Sequence, residues 1–143
     1  VLEPGQSFDP ETERVMVLGG GGPDLLAPVL LNGSTQPAPI ELRAGVKYRF
    51  RFINIGPDDP LLRVSLLSGT APLDWRAVAK DGAALPPAQA TLRPAQQVVS
   101  VGETYDFEFE PSSTGEFRLE VFRPALLFLK RPEQQINVAV RVR

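Results

Sequence analysis

The chain has 143 residues with 15 Lys and Arg against 17 Asp and Glu, a net charge of −2, no Cys and no His. Without Cys there are no disulfides, thiolate metal sites or thiol nucleophiles in these residues, and without His there is no Ser-His-Asp chemistry, imidazole metal site or histidine pH switch. The near-balanced charge provides no global basic field for nucleic acid or acidic lipid, and a chain of this size, one domain by length, buries about 68–70% of its unfolded surface without covalent staples.

The 12 Gly and 15 Pro act as punctuation. The longer intervals free of both are 11–18, 46–55, 61–68, 73–81, 95–101, 103–110, 116–123, 125–131 and 133–143, and none exceeds 11 residues. Helices average about 11–12 residues and disfavour internal Pro and Gly, whereas strands average about 5–6. The spacing therefore predicts an all-β sandwich or barrel.

In chain order, Val15-Met16-Val17-Leu18 is strand-like and runs into Gly19-Gly20-Gly21-Gly22, while Asn32-Gly33 marks a tight turn. Val46, Tyr48, Phe50 and Phe52 alternate with Lys47, Arg49 and Arg51. Pro57-Asp58-Asp59-Pro60 is a loop, and beyond it Leu62, Val64 and Leu66 face away from Arg63 and Ser65. Trp75, Ala77 and Ala79 share one face, and Asp81-Gly82 is a second tight turn. Tyr105, Phe107 and Phe109 alternate with Asp106, Glu108 and Glu110, and Phe117, Leu119 and Val121 with Glu116, Arg118 and Glu120. The segment 125–131 is the one candidate for a short helical turn, and 136–143 alternates again from Ile136 to Val142. One apolar and one solvated side per strand predicts antiparallel sheets packed face to face.

Several groups invite chemistry. A four-glycine run after a strand suggests a phosphate loop, which needs a helix N-terminus behind it; Pro23, Asp24 and Pro28 follow instead, so a flexible loop is expected. Paired carboxylates for glycoside hydrolysis are available at Asp58-Asp59, or at Glu108 and Glu110, about 7 Å apart along a strand. The alternation around Glu108 and Glu110 predicts a wet strand face. Arg43, Arg49, Arg51 and Arg63 are compatible with an anion patch, but cross-strand pairing with acidic residues is the expectation. Tyr48 and Tyr105 lie in phase with apolar neighbours, and Trp75 is read as core packing before ligand stacking. No catalytic, cofactor-binding or metal-ligating residue emerges, and neither nucleic acid nor membrane is expected as a partner.

The order of motifs is more specific than any one of them. Leu30-Leu31-Asn32-Gly33, then Pro39-Ile40-Glu41-Leu42, Gly45, and Tyr48-Arg49-Phe50-Arg51-Phe52-Ile53-Asn54 follow one another. Leu61 to Leu67, Ala77-Val78-Ala79-Lys80-Asp81-Gly82, Leu92 with Pro94, and Val101-Gly102-Glu103-Thr104-Tyr105-Asp106-Phe107 complete the series. This order resembles the second cupredoxin-type domain of multicopper oxidases of the laccase kind; Val1-Leu2-Glu3-Pro4 resembles the end of that family's first domain. Residues 95–100 depart from the pattern, and 124–143 match it least.

The resemblance implies a cupredoxin-like Greek-key β-sandwich over residues 15–143, with 1–14 the end of a preceding domain and a linker. It implies a copper-free domain that spaces copper-bearing neighbours and walls a substrate pocket, in an exported parent, periplasmic or secreted, that reduces O2. Family copper ligands are His, Cys and sometimes Met, so none carries over and Met16 alone builds no blue-copper site. Copper is expected in the parent only. The partners implied are neighbouring cupredoxin domains, and isolation from them predicts weak self-association. A chain without an initiating Met is expected to be a processed product or a piece of something longer. The alternative reading is a β-sandwich adhesion or carbohydrate-binding module.

Overall fold

The computed structural model describes Gly5 and residues 7–143; the Val1–Pro4 motif lies outside the described residues. Among the described residues thirteen strands run in order: β1 Glu13–Gly20, β2 Val29–Leu31, β3 Ile40–Leu42, β4 Tyr48–Asn54, β5 Leu62–Ser68, β6 Ala71–Pro72, β7 Asp74–Lys80, β8 Ala83–Ala84, β9 Leu92–Pro94, β10 Gln96–Val99, β11 Thr104–Phe109, β12 Gly115–Arg123 and β13 Gln134–Val142. The expected short helical turn in 125–131 is a 3₁₀ turn at Leu127–Leu129. Among the described residues no helix is long and apolar enough to cross a membrane.

Two sheets face each other. One has the order β2-β1-β4-β11-β7-β8, with β9 also on β7; the other has β10-β5-β12-β13-β3, with β6 on β5. The all-β sandwich expected from the Pro and Gly spacing is the fold observed. The purely antiparallel expectation needs correcting, because β1 lies parallel to β4 and β3 parallel to β13. Parallel neighbours require a crossover. Here β2 and β3 supply it, since the chain leaves β1, changes sheet at β3 and returns to the first sheet at β4.

Period-two alternation places the core where the sequence puts it. Along β4, Tyr48, Phe50, Phe52 and Asn54 are buried while Arg49, Arg51 and Ile53 are not. Phe50, Phe52, Trp75 and Phe107 are fully enclosed. Trp75 stacks on Phe107 at 4.1 Å between ring centroids and 13° between planes. Tyr105 is only half-buried, with the Lys80 ammonium 5.2 Å from its ring centre.

The outer faces are less wet than alternation predicts. Ser65, Leu67 and Glu120 are buried on the outward phase of β5 and β12. Arg63 and Arg118 lie against the Glu120 carboxylate at 3.8 and 3.7 Å, Gln135 donates to it, and the Arg63 guanidinium sits 4.8 Å over the Phe122 ring. Long side chains lying flat on a sheet cover its short residues with their methylene stems.

Both predicted tight turns form. Asn32 and Gly33 have φ of 49° and 79°, and Asp81 and Gly82 the same values. Two successive positive φ angles define the two-residue hairpin turn whose twist matches the flanking strands, and Asn, Asp and Gly tolerate that region. Each turn also bonds to a neighbour: Asn32 accepts from Val17 N and donates to Val15 O, and Asp81 accepts from Thr104 N.

Candidate functional site

The strand directions gather loops 21–28, 55–61, 100–103 and 124–133 at one end of the sandwich. Residue Asn54 closes β4 there with its amide fully engaged. Its Nδ2 donates to Asp59 O and to Val99 O, both at 2.8 Å, and its Oδ1 accepts from Gly56 N at 2.9 Å. The Asn that ends the Tyr-Arg-x-Arg-x-x-Asn motif therefore ties three segments together.

Beside it lies a buried ionic group. Asp59, Arg123 and Arg131 are 5%, 4% and 3% exposed. An Arg131 Nη1 stands 3.1 Å from Asp59 Oδ1 and donates to Asp58 O. Arg123 donates to Ala27 O at 2.9 Å from the opposite loop. Gln134 completes the end by exchanging two hydrogen bonds with the Val29 backbone. Burial pushes the Asp59 carboxyl above its ordinary value, against the pull of Arg131 and then Arg123. Burial, helped by the Arg131 charge, lowers Arg123. Two cations and one carboxylate sealed from water are suited to holding loops rather than to proton transfer with a substrate.

The other groups singled out in the sequence disperse. Gly19 and Gly20 belong to β1, and Gly21 N donates to Pro28 O at 2.7 Å, so the glycine run is half strand and half hairpin rather than a free loop. A Cβ at Gly21 would come within 3.0 Å of the Pro28 ring, which explains a glycine there without any phosphate. Asp58 is exposed and Asp59 buried, so the two do not present a paired acid and base. Glu108 pairs with Lys47 at 3.5 Å on the outer face, and Glu110 is exposed.

Cross-strand pairing holds for three of the four arginines. Arg49 meets Asp106 at 2.7 Å, Arg51 meets Glu13 at 2.5 Å and Asp106 at 3.6 Å, and Arg63 meets Glu120. Arg43 instead lines a cleft of about 670 Å³ at the opposite end, with Glu11, Arg14, Tyr48 and Arg143. Sequence reasoning missed Arg123 and Arg131 as buried ions. For Arg123 a signal existed, because it falls on the inward phase of β12 after Phe117, Leu119 and Val121; Arg131 carries no periodic signal.

Blue copper needs two imidazoles and a thiolate. The donor set here does not fit it: His and Cys are absent from the sequence, and Met16 is enclosed in the core at 4% exposure. Among the described residues no three Asp or Glu gather around one point that a metal ion would occupy.

No protein-family model and no curated protein matches the sequence. Solved structures do. A multicopper oxidase superposes with a TM-score of 0.68 at 18% identity, over 93% of this chain and 44% of the other. A variant of the McoA multicopper oxidase from Aquifex aeolicus gives 0.66 at 19%, over 93% and 32%. The fold is that of a multicopper oxidase cupredoxin-type domain. The copper-containing nitrite reductase NirK from Thermus scotoductus also shares it, with 0.63 at 15%, over 94% and 31%. The chain thus spans less than half the length of each of these three structures.

Proposed function

We propose that the chain is a copper-free cupredoxin-type domain of a multicopper oxidase, spacing copper-bearing domains and walling a substrate pocket. The observation that carries this reading is a single one: the fold covers over nine tenths of this chain and under half of each oxidase, while the chain has no imidazole or thiolate. Residues 1–14 then lead in from a preceding domain, of which the last two already join β1. Copper, the reduction of O2 and export to the periplasm or medium belong to the parent polypeptide. Against the carbohydrate-module reading, Trp75 is fully enclosed and Tyr48 is 4% exposed, which leaves only the half-buried Tyr105 of the three aromatics that would make a stacking platform.

Two measurements test this. Dialysis of the 143-residue chain against Cu(II) followed by metal analysis is expected to show no defined stoichiometry and no blue absorbance. A tight one-to-one site would overturn the copper-free assignment. The parent gene is expected to encode His-x-His pairs within a few tens of residues before Val1 and a Cys-His segment after Arg143. A parent lacking both would make the domain a binding module and remove the oxidase.

A further inference from the structure

Five large apolar side chains at the Asn54 end are more than half exposed: Leu26 at 56%, Ile55 at 62%, Leu61 at 53%, Leu127 at 86% and Phe128 at 81%. They sit on three loops that the ionic group binds from beneath, through Arg123 to Ala27 O and Arg131 to Asp58 O. Single exposed apolar residues are ordinary, but a group of them with a polar rim marks an interaction surface. The rim here is acidic: Asp24, Asp58 and Glu133 are exposed on the same loops, against one exposed cation, Lys130.

We propose that this end is a docking surface for a protein face with an apolar centre and a Lys/Arg rim, borne by the rest of the parent polypeptide. The proposal rests on the multidomain reading above. Interfaces of this kind have an apolar centre and a charged rim of complementary sign. A second copy fits poorly, because in a two-fold contact the same patch meets itself and acidic rims face each other. Self-association through this face is therefore weak. The same rim repels phosphate-bearing partners. The described chain enters near Thr12, whose carbonyl accepts from Arg49 N, and ends at Arg143, which bonds Leu42 O, both at the opposite end. Docking at the loop end is thus a second, non-covalent tether that orients the domain.

The complete open reading frame is expressed as wild type, Phe128→Asp, Leu127→Asp and Asp58→Lys, beside the 143-residue chain with the same changes. In the short chain, all variants are expected to unfold at the wild-type temperature, because the altered side chains are exposed. In the complete polypeptide, Phe128→Asp and Leu127→Asp are expected to split one calorimetric transition into two and to enlarge the radius of gyration. Asp58→Lys is expected to do so more weakly, with the wild type loosened by high salt. Phe128→Leu serves as the conservative control and keeps the single transition. Unchanged transitions in the complete polypeptide would overturn the proposal. So would strong association of the short chain abolished by Phe128→Asp, which would give the face to a second copy. Docking to a neighbour without copper ligands would leave this surface standing and remove only the oxidase reading, whereas copper-bearing neighbours with no docking would do the reverse.

Discussion

Phe50→Ala is expected to lower stability by about 3–5 kcal/mol, the usual cost of truncating an enclosed Phe. Phe50 has no exposed surface, lies directly opposite Phe107 across the β4–β11 pair, and has its ring 6.3 Å from that of Phe52 at 12°. Domains of this kind have only about 5–15 kcal/mol in total, so the variant should unfold at a much lower urea midpoint. Arg49→Ala, one residue away on the outer face, removes two contacts to Asp106, from Nε at 2.8 Å and Nη2 at 2.7 Å. Arg51 remains 3.6 Å from that carboxylate, so Asp106 keeps a cation. A partly exposed pair of this kind contributes roughly 1 kcal/mol at most. Equal urea midpoints for the two variants would show that the inward and outward phases of β4 have been exchanged.

Arg131→Met is the second large effect, about 3–5 kcal/mol at neutral pH, because it strands a buried carboxylate. The Asp59 side chain is 6% exposed and loses the cation 3.1 Å away, while Asp58 O loses its donor. Arg123→Met is expected to cost less. It removes one of two like charges, and burial and the Arg131 charge already disfavour the Arg123 cation. The pH dependence gives a separate check. Burial raises Asp59 above its ordinary 3.8, so the folded state holds that proton more tightly than the unfolded state does. Such an acid adds most stability below 3.8, and the contribution is lost as pH rises through the folded value. Removing Arg131 takes away the strongest opposing pull and raises the carboxyl further. The deficit of Arg131→Met relative to wild type should therefore shrink as pH is lowered. Urea midpoints of both proteins from neutral pH down to the ordinary Asp59 value of 3.8 would read it, and a gap constant over that whole range would exclude Asp59 as the partner that matters.

Much of this was legible from local chemistry. Each interval between breakers that alternates in hydrophobicity became a strand of the sandwich, because alternation at period two is the condition for one face to be buried and the other wet. The strands that punctuation alone did not delimit are β2, β3, β6, β8 and β9, two or three residues each and all at sheet edges. β6 and β9 contain Pro72 and Pro94, which only an edge accepts since Pro donates no ladder hydrogen bond. Their length is set by a neighbouring strand, so no local pattern announces them.

The candidate end divides in the same way. Composition by itself determined that this chain holds no imidazole or thiolate copper site, and the Asn-Gly and Asp-Gly pairs determined two hairpin turns, because positive φ is a property of single residues. The parallel pairing of β1 with β4 and of β3 with β13 was decided by the crossover between sheets. Asp58 and Asp59 are adjacent in sequence and identical in type, yet one is exposed and the other sealed against Arg131, 72 residues later. Burial of a charge depends on what the remote loops bring over it. Only the packed end of the sandwich could decide that Asp59 holds loops together while Leu127 and Phe128 beside it stay open to a partner.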